Sequence, residues 1–418
     1  MKNDLRTFRL VCSESHVTAV EELLLGQGFR FRPEPFYSMA RILEEEPFPL
    51  GESIAARFGR IYIQDRSSML PPLMLAPEKG DQVLDMCAAP GSKTGLLSRL
   101  VGRDGFVLAS EPSSDRLSLL RQNLRKTQSV NTATVHYESQ KLPLPPESWK
   151  IIQLDPPCSG WGTLNKNPKA MDLWKDEKIV PLINLQRLLL TKAYELLAPG
   201  GKLVYSTCTT NVQENEEQTR FATEELGFEL FKLAHPEGFT ISEPLLPGMD
   251  GVLRVDGSGG GQGFYLCGLR KPGNAEPVYP GTSNPPGSRI NLKKTEFPEA
   301  VDLSALPDGE IYEFRDKAMF MNRHALNILP AELRWQGFPL GKIAKNRFRP
   351  DPYARCLLPE KPDSSALVIE NVQDLANLLS GQSLSGPAKG KGPVGLYYKD
   401  MLLGFTGKKG NRYIWTDK

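Results

Sequence analysis

Five short apolar runs alternate with helix-spaced segments between residues 80 and 206. That alternation predicts an α/β fold, a doubly wound sheet whose binding crevice lies at the carboxyl ends of its strands. Two further observations set its surroundings. The first sixty residues read as a small α+β unit, and beyond a proline-rich stretch the pattern changes to short strand-like runs broken by Gly and Pro. A chain of 418 residues has the length of two or three domains. The expected division is 1–60, 61–271, a linker at 272–288, and a mostly β module at 289–418.

At the start, Phe8-Arg9-Leu10-Val11 is a candidate strand, Ser15 to Gln27 a helix and Gly28 to Arg32 a return strand. Gln82 to Cys87 opens the regular part, followed by helix-spaced Leu96, Leu97, Leu100 and Val101. Phe106 to Glu111 is the second strand, Ser113 to Thr127 a polar helix, Thr132 to Tyr137 the third strand and Ile151 to Asp155 the fourth. Pro181 opens a helix, since a first-turn proline sacrifices no hydrogen bond. Its Leu182, Leu185, Leu189 and Leu196 share one face, and Pro199-Gly200-Gly201 closes it before a fifth strand, Lys202 to Ser206. Pro272, Pro277, Pro280, Pro285 and Pro286 make the next stretch a linker. Val394–Tyr398 and Met401–Phe405 flank Lys399-Asp400 as a β-hairpin. No internal repeat is present.

Composition excludes several classes. Lys and Arg number 51 against 49 Asp and Glu, a net charge of +2. That rules out a polybasic tail protein but not a nucleic-acid binder, because a patch matters more than a sum. No apolar run reaches 18 residues, so no transmembrane helix is expected. Met1-Lys2-Asn3-Asp4-Leu5-Arg6 lacks the apolar core of a secretory signal. The six cysteines are scattered without a C-x-x-C pair, and the four histidines include no H-E-x-x-H. Neither a disulfide framework nor a metal site is expected, and the chain reads as a reduced, cytoplasmic protein.

Three strand ends carry the chemistry. Asp85-Met86-Cys87-Ala88-Ala89-Pro90-Gly91-Ser92-Lys93-Thr94 follows the first strand as a small-residue turn into a helix. Such a turn lets backbone N–H groups approach a ligand. It is neither a P-loop nor G-x-G-x-x-G. Glu111 ends the second strand; alone it is as easily a solvated acid, but beside this loop it suits a ribose diol. Asp155-Pro156-Pro157-Cys158-Ser159-Gly160 and Tyr205-Ser206-Thr207-Cys208-Thr209 end the fourth and fifth strands. Single cysteines are most often small buried hydrophobes, which covers Cys12, Cys267 and Cys356, and Cys87 packs rather than reacts. Cys158 and Cys208 end strands of one sheet, and two thiols with a carboxylate there fit covalent catalysis through a thiolate.

Gln64 to Leu75 (QDRSSMLPPLML), DMCAAPGSKT, DPPCSG followed by Asn167-Pro168, and Tyr205 to Glu217 (YSTCTTNVQENEE) stand in this order over residues 61–271. Together they resemble the Sun family of S-adenosylmethionine-dependent RNA cytosine-5 methyltransferases. Gly341-Lys342-Ile343-Ala344 and the terminal hairpin are similar to the YebU/RsmF-like branch, which modifies bacterial 16S ribosomal RNA. The resemblance implies a Rossmann-like class I methyltransferase sheet, a PUA-like C-terminal RNA-binding module, S-adenosylmethionine as cofactor and ribosomal RNA, in a small subunit or its precursor, as partner of a monomer. It implies Cys208 as nucleophile, Cys158 as the group assisting release, and Asp155 as the holder of the cytosine ring. Lys93 then orients the base or favours a thiolate, or merely complements a nearby acid. Cofactor contacts fall on Cys87, Ala88, Ala89, Pro90, Gly91, Ser92, Lys93, Glu111 and Asp155. The family's acid after the third strand is replaced by Tyr137-Glu138-Ser139, with Glu138 the best match. Gly257 to Gly261 reads as a flexible loop over the crevice. The chain also starts without the longer leading segment common in this branch, so RNA contacts made there are expected to be missing.

RNA contacts are expected on local basic surface. Lys342, Lys345, Arg347, Arg349 and Arg355 stand against Asp351 alone, with Phe348 and Tyr353 interleaved. Lys389, Lys391, Lys399, Lys408, Lys409, Arg412 and Lys418 stand against Asp400 and Asp417. A charge run is usually a solvated face; two in one appended module favour RNA. The competing readings are action on tRNA, a DNA-type cytosine methyltransferase with its nucleophile in the Pro-Cys motif, and a non-catalytic RNA-binding assembly factor.

Overall fold

A computed structural model describes residues 5–163, 179–257, 260–279, 281, 283–386 and 392–416. Asn167-Pro168, part of the Gly257–Gly261 loop, and Lys389, Lys391 and Lys418 of the second basic run lie outside the described residues.

The first unit is a four-stranded antiparallel sheet carrying helix α1 (Val17–Leu25). Its strands are β1 (Thr7–Leu10), β2 (Arg30–Pro33), β3 (Ala40–Glu45) and β4 (Ile61–Ile63), in the order β2-β3-β1-β4. The expected strand–helix–strand is present. β3 and β4 add two strands that short runs with polar residues did not announce.

The central sheet contains β5 (Gln82–Asp85), β6 (Phe106–Ser110), β7 (Thr132–Val135), β8 (Trp149–Leu154) and β9 (Leu197–Thr207), all parallel in the order β9-β8-β5-β6-β7. Val83, Leu84, Val107, Leu108, Ile152 and Leu203 are fully enclosed. Continuous apolar runs suit a parallel sheet covered on both faces. Short helices α2 (Ile54–Arg57) and α3 (Leu70–Leu75) lead into it. Helix α4 (Ser92–Leu100) leaves the first turn from Gly91, whose φ of +103° favours glycine. Helix α5 (Ser114–Thr127) is capped by Ser113 and buries Leu117, Leu120 and Leu124 as one stripe. The helix Val180–Leu196 has Pro181 in its first turn, as expected. Antiparallel strands β10 (Glu229–Phe231), β11 (Ile241–Ser242), β12 (Leu253–Val255) and β13 (Phe264–Arg270) complete the side beyond β9. Because β5 is flanked by β6 and β8, the order in which strands are added reverses there, and the crevice opens at the carboxyl ends of β5 and β8.

The C-terminal region is strand-rich, with two five-stranded sheets. Val394–Tyr398 and Met401–Lys409 pair antiparallel around Lys399-Asp400, as the hairpin pattern predicts. Trp335–Gln336 pairs with β7, so this region adds a strand to the central sheet. Phe8, Leu10 and Phe29 of the first unit share one apolar cluster with Leu367, Leu396 and Tyr413 of the last sheet. The proline-rich stretch is pinned along the surface: Ala275 donates its N–H to Pro199 O at 3.1 Å, Val278 to Glu147 O at 3.1 Å and Ser283 to Leu326 O at 3.2 Å. No helix among the described residues is long and apolar enough to cross a membrane.

Trp335 is 3% exposed and its indole N–H reaches Ser283 Oγ at 2.9 Å. Trp335→Ala should cost about 3–5 kcal/mol, read as a lowered thermal midpoint with faster amide exchange at Thr134 and Val135. An unchanged midpoint would show that this edge pairing does not join the two regions.

Candidate active site

The turn after β5 folds around Asp85, which is fully buried. Its Oδ2 accepts from Thr94 Oγ1 at 2.7 Å, and its Oδ1 is buried without a partner among the described residues. Burial pushes this carboxyl up to about 6, against the Thr94 hydrogen bond and the Lys93 charge. Ala88 and Ala89 are buried, Pro90 is exposed, and Cys87 and Ser92 are half-buried. A side chain at Gly91 would bring Cβ to 2.9 Å from Leu120 Cδ1, so Leu120 would have to shift, and the positive φ there adds strain. Burial, reinforced by Asp85, Asp155 and Glu111, holds the Cys87 thiol well above the ordinary thiol range. Cys87 therefore stays protonated.

Glu111 is 1% exposed at the end of β6, where its carboxylate accepts from Ser113 N at 3.0 Å and lies 3.6 Å from Arg116. Glu138 is placed differently from Glu111. It is exposed, and its carboxylate is taken by Lys141 and Gln140, each at 2.9 Å. The neighbouring Ser139 turns inward, donating to Met86 O and standing 2.8 Å from Ser110 Oγ across the ends of β5 and β6. The side chain that turns inward after the third strand is thus a hydroxyl, and the carboxylate lies on the surface. The crevice combines a close-approach turn, the unpartnered Asp85 oxygen and the Glu111 carboxylate, and this donor set fits a cationic sulfonium bearing a ribose.

Asp155 follows β8 and accepts from Lys93 Nζ at 2.7 Å and from Ser206 Oγ at 2.7 Å. Burial pulls the Lys93 ammonium down, but the Asp155 charge and hydrogen bond outweigh it and leave its pKa raised. Cys158 Sγ and Cys208 Sγ stand 3.3 Å apart. The pair is not symmetric. A hydrogen bond from the Cys158 thiol holds Cys208 below the ordinary thiol range, helped by Lys93 and opposed by burial and Asp155. The same bond raises Cys158 well above that range, with burial, Cys208 and the Glu214 carboxylate adding to it. Cys208 is thus the more acidic thiol of the pair, and Cys158 the one placed to donate to it.

Residues that sequence reasoning quoted but gave no role hold this pair in place. Glu214, fully buried, accepts from Ser159 N at 2.9 Å, from Gln186 Nε2 at 3.0 Å and from Ser159 Oγ. Asn215 accepts from Thr207 Oγ1 at 2.6 Å and donates to Thr209 O at 3.0 Å, bracketing Cys208. Ser159 and Thr209 hydroxyls meet at 2.8 Å. Glu216 binds Arg254 at 2.7 Å, and Arg254 also reaches Thr210 O. The available signal was the density of Asn and Glu just after Cys208.

The expected RNA residues separate. Lys345 and Arg349 are exposed, Lys342 is paired with Asp316 at 3.0 Å, and Arg347 with Glu296 at 2.9 Å. Arg355 does not belong with them. It is 7% exposed and donates to Phe58 O at 2.9 Å, Lys126 O at 3.1 Å and Gly59 O at 3.3 Å. Phe348 and Tyr353 are also buried, as core rather than stacking platforms. Charge counting along the chain could not see this: Phe348 lies on the inward face of its strand, and Arg355 is buried by contacts with Phe58 and Lys126, far away in sequence. No cluster among the described residues is arranged to hold a metal.

The strand order and the acid-lined crevice define a class, the S-adenosylmethionine-dependent methyltransferases of Rossmann-like fold. A crystal structure of a methyltransferase homologue protein from Pyrococcus horikoshii is 32% identical with a TM-score of 0.55, covering 65% of this chain and 87% of that one. The structure of NSun6 from Pyrococcus horikoshii with SFG, an S-adenosylmethionine analogue, is 21% identical with a TM-score of 0.56 and shares the fold over 65% of this chain and 92% of that one. Residues 72–251 match the family model described as 16S rRNA methyltransferase RsmB/F. Ribosomal RNA small subunit methyltransferase F of Serratia proteamaculans is 33% identical over 81% of this chain and 73% of that protein. Its counterpart in Cronobacter sakazakii is 30% identical over 82% and 75%. The chain belongs to the RsmB/F family, within the Sun family, and is an S-adenosylmethionine-dependent rRNA methyltransferase.

Because Cys208 is held below the ordinary thiol range, its alkylation by iodoacetamide should persist at pH values where a free thiol is protonated. Cys158→Ala removes the donor and Lys93→Met the cation, so both should move the alkylation midpoint to higher pH, the first by more. Mass spectrometry of the Cys208 peptide reads this, and an unmoved or lowered midpoint would reverse the assignment of the proton.

Proposed function

We propose that this enzyme methylates carbon 5 of cytosine in 16S ribosomal RNA, in a small subunit or its precursor, through a covalent bond between Cys208 and carbon 6. The observation that carries the reading is the thiol pair at 3.3 Å with the charge directed onto Cys208, beside Asp155 and Lys93. The 16S substrate rests on the printed names of the relatives.

Carbon 5 of cytosine is a poor nucleophile in the aromatic ring. Addition of the Cys208 thiolate to carbon 6 moves the double-bond electrons toward N3 and leaves carbon 5 enamine-like. Asp155, fixed by Lys93 and Ser206, holds the ring near N3 by accepting from the amino group on carbon 4. S-adenosylmethionine, when bound by the Cys87–Lys93 turn, Asp85 and Glu111, supplies an electrophilic methyl group. Carbon 5 then bears both a methyl and a hydrogen. Solvent water takes that proton; the C–H pair restores the C5–C6 double bond and expels the Cys208 thiolate, which the Cys158 thiol beside it stabilises by donating its hydrogen bond again. The target base reacts only when unstacked, at a cost of a few kcal/mol. In this reading the enzyme works as a cytoplasmic monomer, and its strand-rich C-terminal region serves as a PUA-like RNA module that uses the exposed Lys345 and Arg349.

Bisulfite sequencing of 16S RNA, naked and in small subunits, after incubation with enzyme and S-adenosylmethionine should show protected cytosines. Cys208→Ala should abolish them, and Cys158→Ala should accumulate an RNA–protein adduct. An adduct from Cys208→Ala instead would reverse the two roles. No transfer to any RNA by the wild type would leave a non-catalytic assembly factor.

A further inference from the structure

A second cavity, of about 360 Å³, lies where three parts of the chain meet: the first unit, the central domain and the C-terminal region. Arg60 enters it from the first unit, Arg99 and Arg103 from the end of α4 and just beyond it, and Arg355 from the C-terminal region. Neither Asp nor Glu lines it. Helix α4 starts at the cofactor turn and runs back across the sheet, so Arg99 and Gly102 stand at the edge opposite the crevice.

The charges in this cavity are under-compensated. Arg60 is 5% exposed, and its Nε and Nη2 are buried with no hydrogen-bond partner among the described residues. Arg355, also buried, spends its hydrogen bonds on three backbone carbonyls, which satisfy its N–H groups but bring no counter-charge. Burial pulls the Arg355 guanidinium down, and the nearby Arg60 charge lowers it further. Behind Gly95, which lines the cavity, Arg9 is wholly buried with Nη1 unpartnered. Burial lowers both Arg9 and Arg60 to about 10, so both remain cations at neutral pH. A buried cation without an anion is costly, and guanidinium N–H groups bond phosphate oxygens strongly in pairs.

We propose that this cavity is an anion site that takes a phosphate group, with Arg60 and Arg99 as its donors and Arg103, whose Nη2 is already held by Ser304 O and Leu306 O, at its rim. Its volume admits a phosphoryl group with the sugar or water around it. The phosphate comes either from the backbone of the RNA substrate, gripped at the edge away from the reacting base, or from a free phosphate compound that ties the three parts together. This site does not depend on the chemistry assigned to Cys208.

The test is the thermal midpoint of the full chain in inorganic phosphate against chloride at matched ionic strength. Wild-type protein should gain several degrees at about a hundred times the dissociation constant. Arg99→Gln and Arg60→Gln should each weaken half-saturation by about tenfold or more. In phosphate-free buffer Arg60→Gln should not lose stability, since it removes an uncompensated charge. Equal phosphate shifts in all three proteins, or none in the wild type, would overturn the site. Binding of a single-stranded RNA oligonucleotide then separates the sources. Competition by phosphate, with weaker RNA binding in Arg99→Gln, identifies a backbone phosphate; RNA binding indifferent to phosphate while the thermal shift persists identifies a free one.

Discussion

The buried Glu214 carboxylate is the constraint on which the active site depends. Two loops, after β8 and β9, carry Cys158 and Cys208. Glu214 sits just beyond the Cys208 turn and accepts three hydrogen bonds, two of them from Ser159 next to Cys158. A carboxylate removed from water is expensive unless its oxygens are satisfied. Opening either loop would therefore strand a buried charge, and the sulfurs stay 3.3 Å apart. The same charge also acts electrostatically. It stands nearer Cys158 in effect, while Lys93 acts on Cys208. One residue thus ties the two loops together and adds to the rise of the Cys158 thiol, whose largest cause is its hydrogen bond with Cys208.

The second determinant is how the parts of the chain are joined. Trp335–Gln336 extends the central sheet beyond β7, and Arg125 of α5 holds Asp351 at 2.7 Å. The first unit and the last sheet close a common apolar core on another side. The exposed Lys345 and Arg349 of the C-terminal region therefore stand at a fixed offset from the crevice. Rigid positioning of this kind is what converts remote binding into orientation at the reacting base.

Much of the central domain was legible because its signals are local. Apolar runs such as Val83-Leu84 and Val107-Leu108 became strands covered on both faces, and Ser113 and Pro181 marked helix starts through capping and first-turn geometry. Cys158 and Cys208 were legible as strand-end thiols and do meet. What was not legible depends on pairing across distance. Strands β3 and β4, the shared core of the first unit and last sheet, and the burial of Arg355 follow from contacts between segments far apart in sequence. Glu138 and Ser139 show the same limit at one-residue scale, since a carboxylate was the expected type but the inward-facing side chain is the serine.

The central claim is that the sulfur which bonds the base is Cys208. It is tested most directly with RNA carrying 5-fluorocytosine at the target position, where no proton can leave carbon 5 after methyl transfer and the adduct is trapped. Digestion and mass spectrometry of the trapped complex should place the nucleotide on the peptide containing Cys208. The nucleotide on the peptide containing Cys158 would contradict the account.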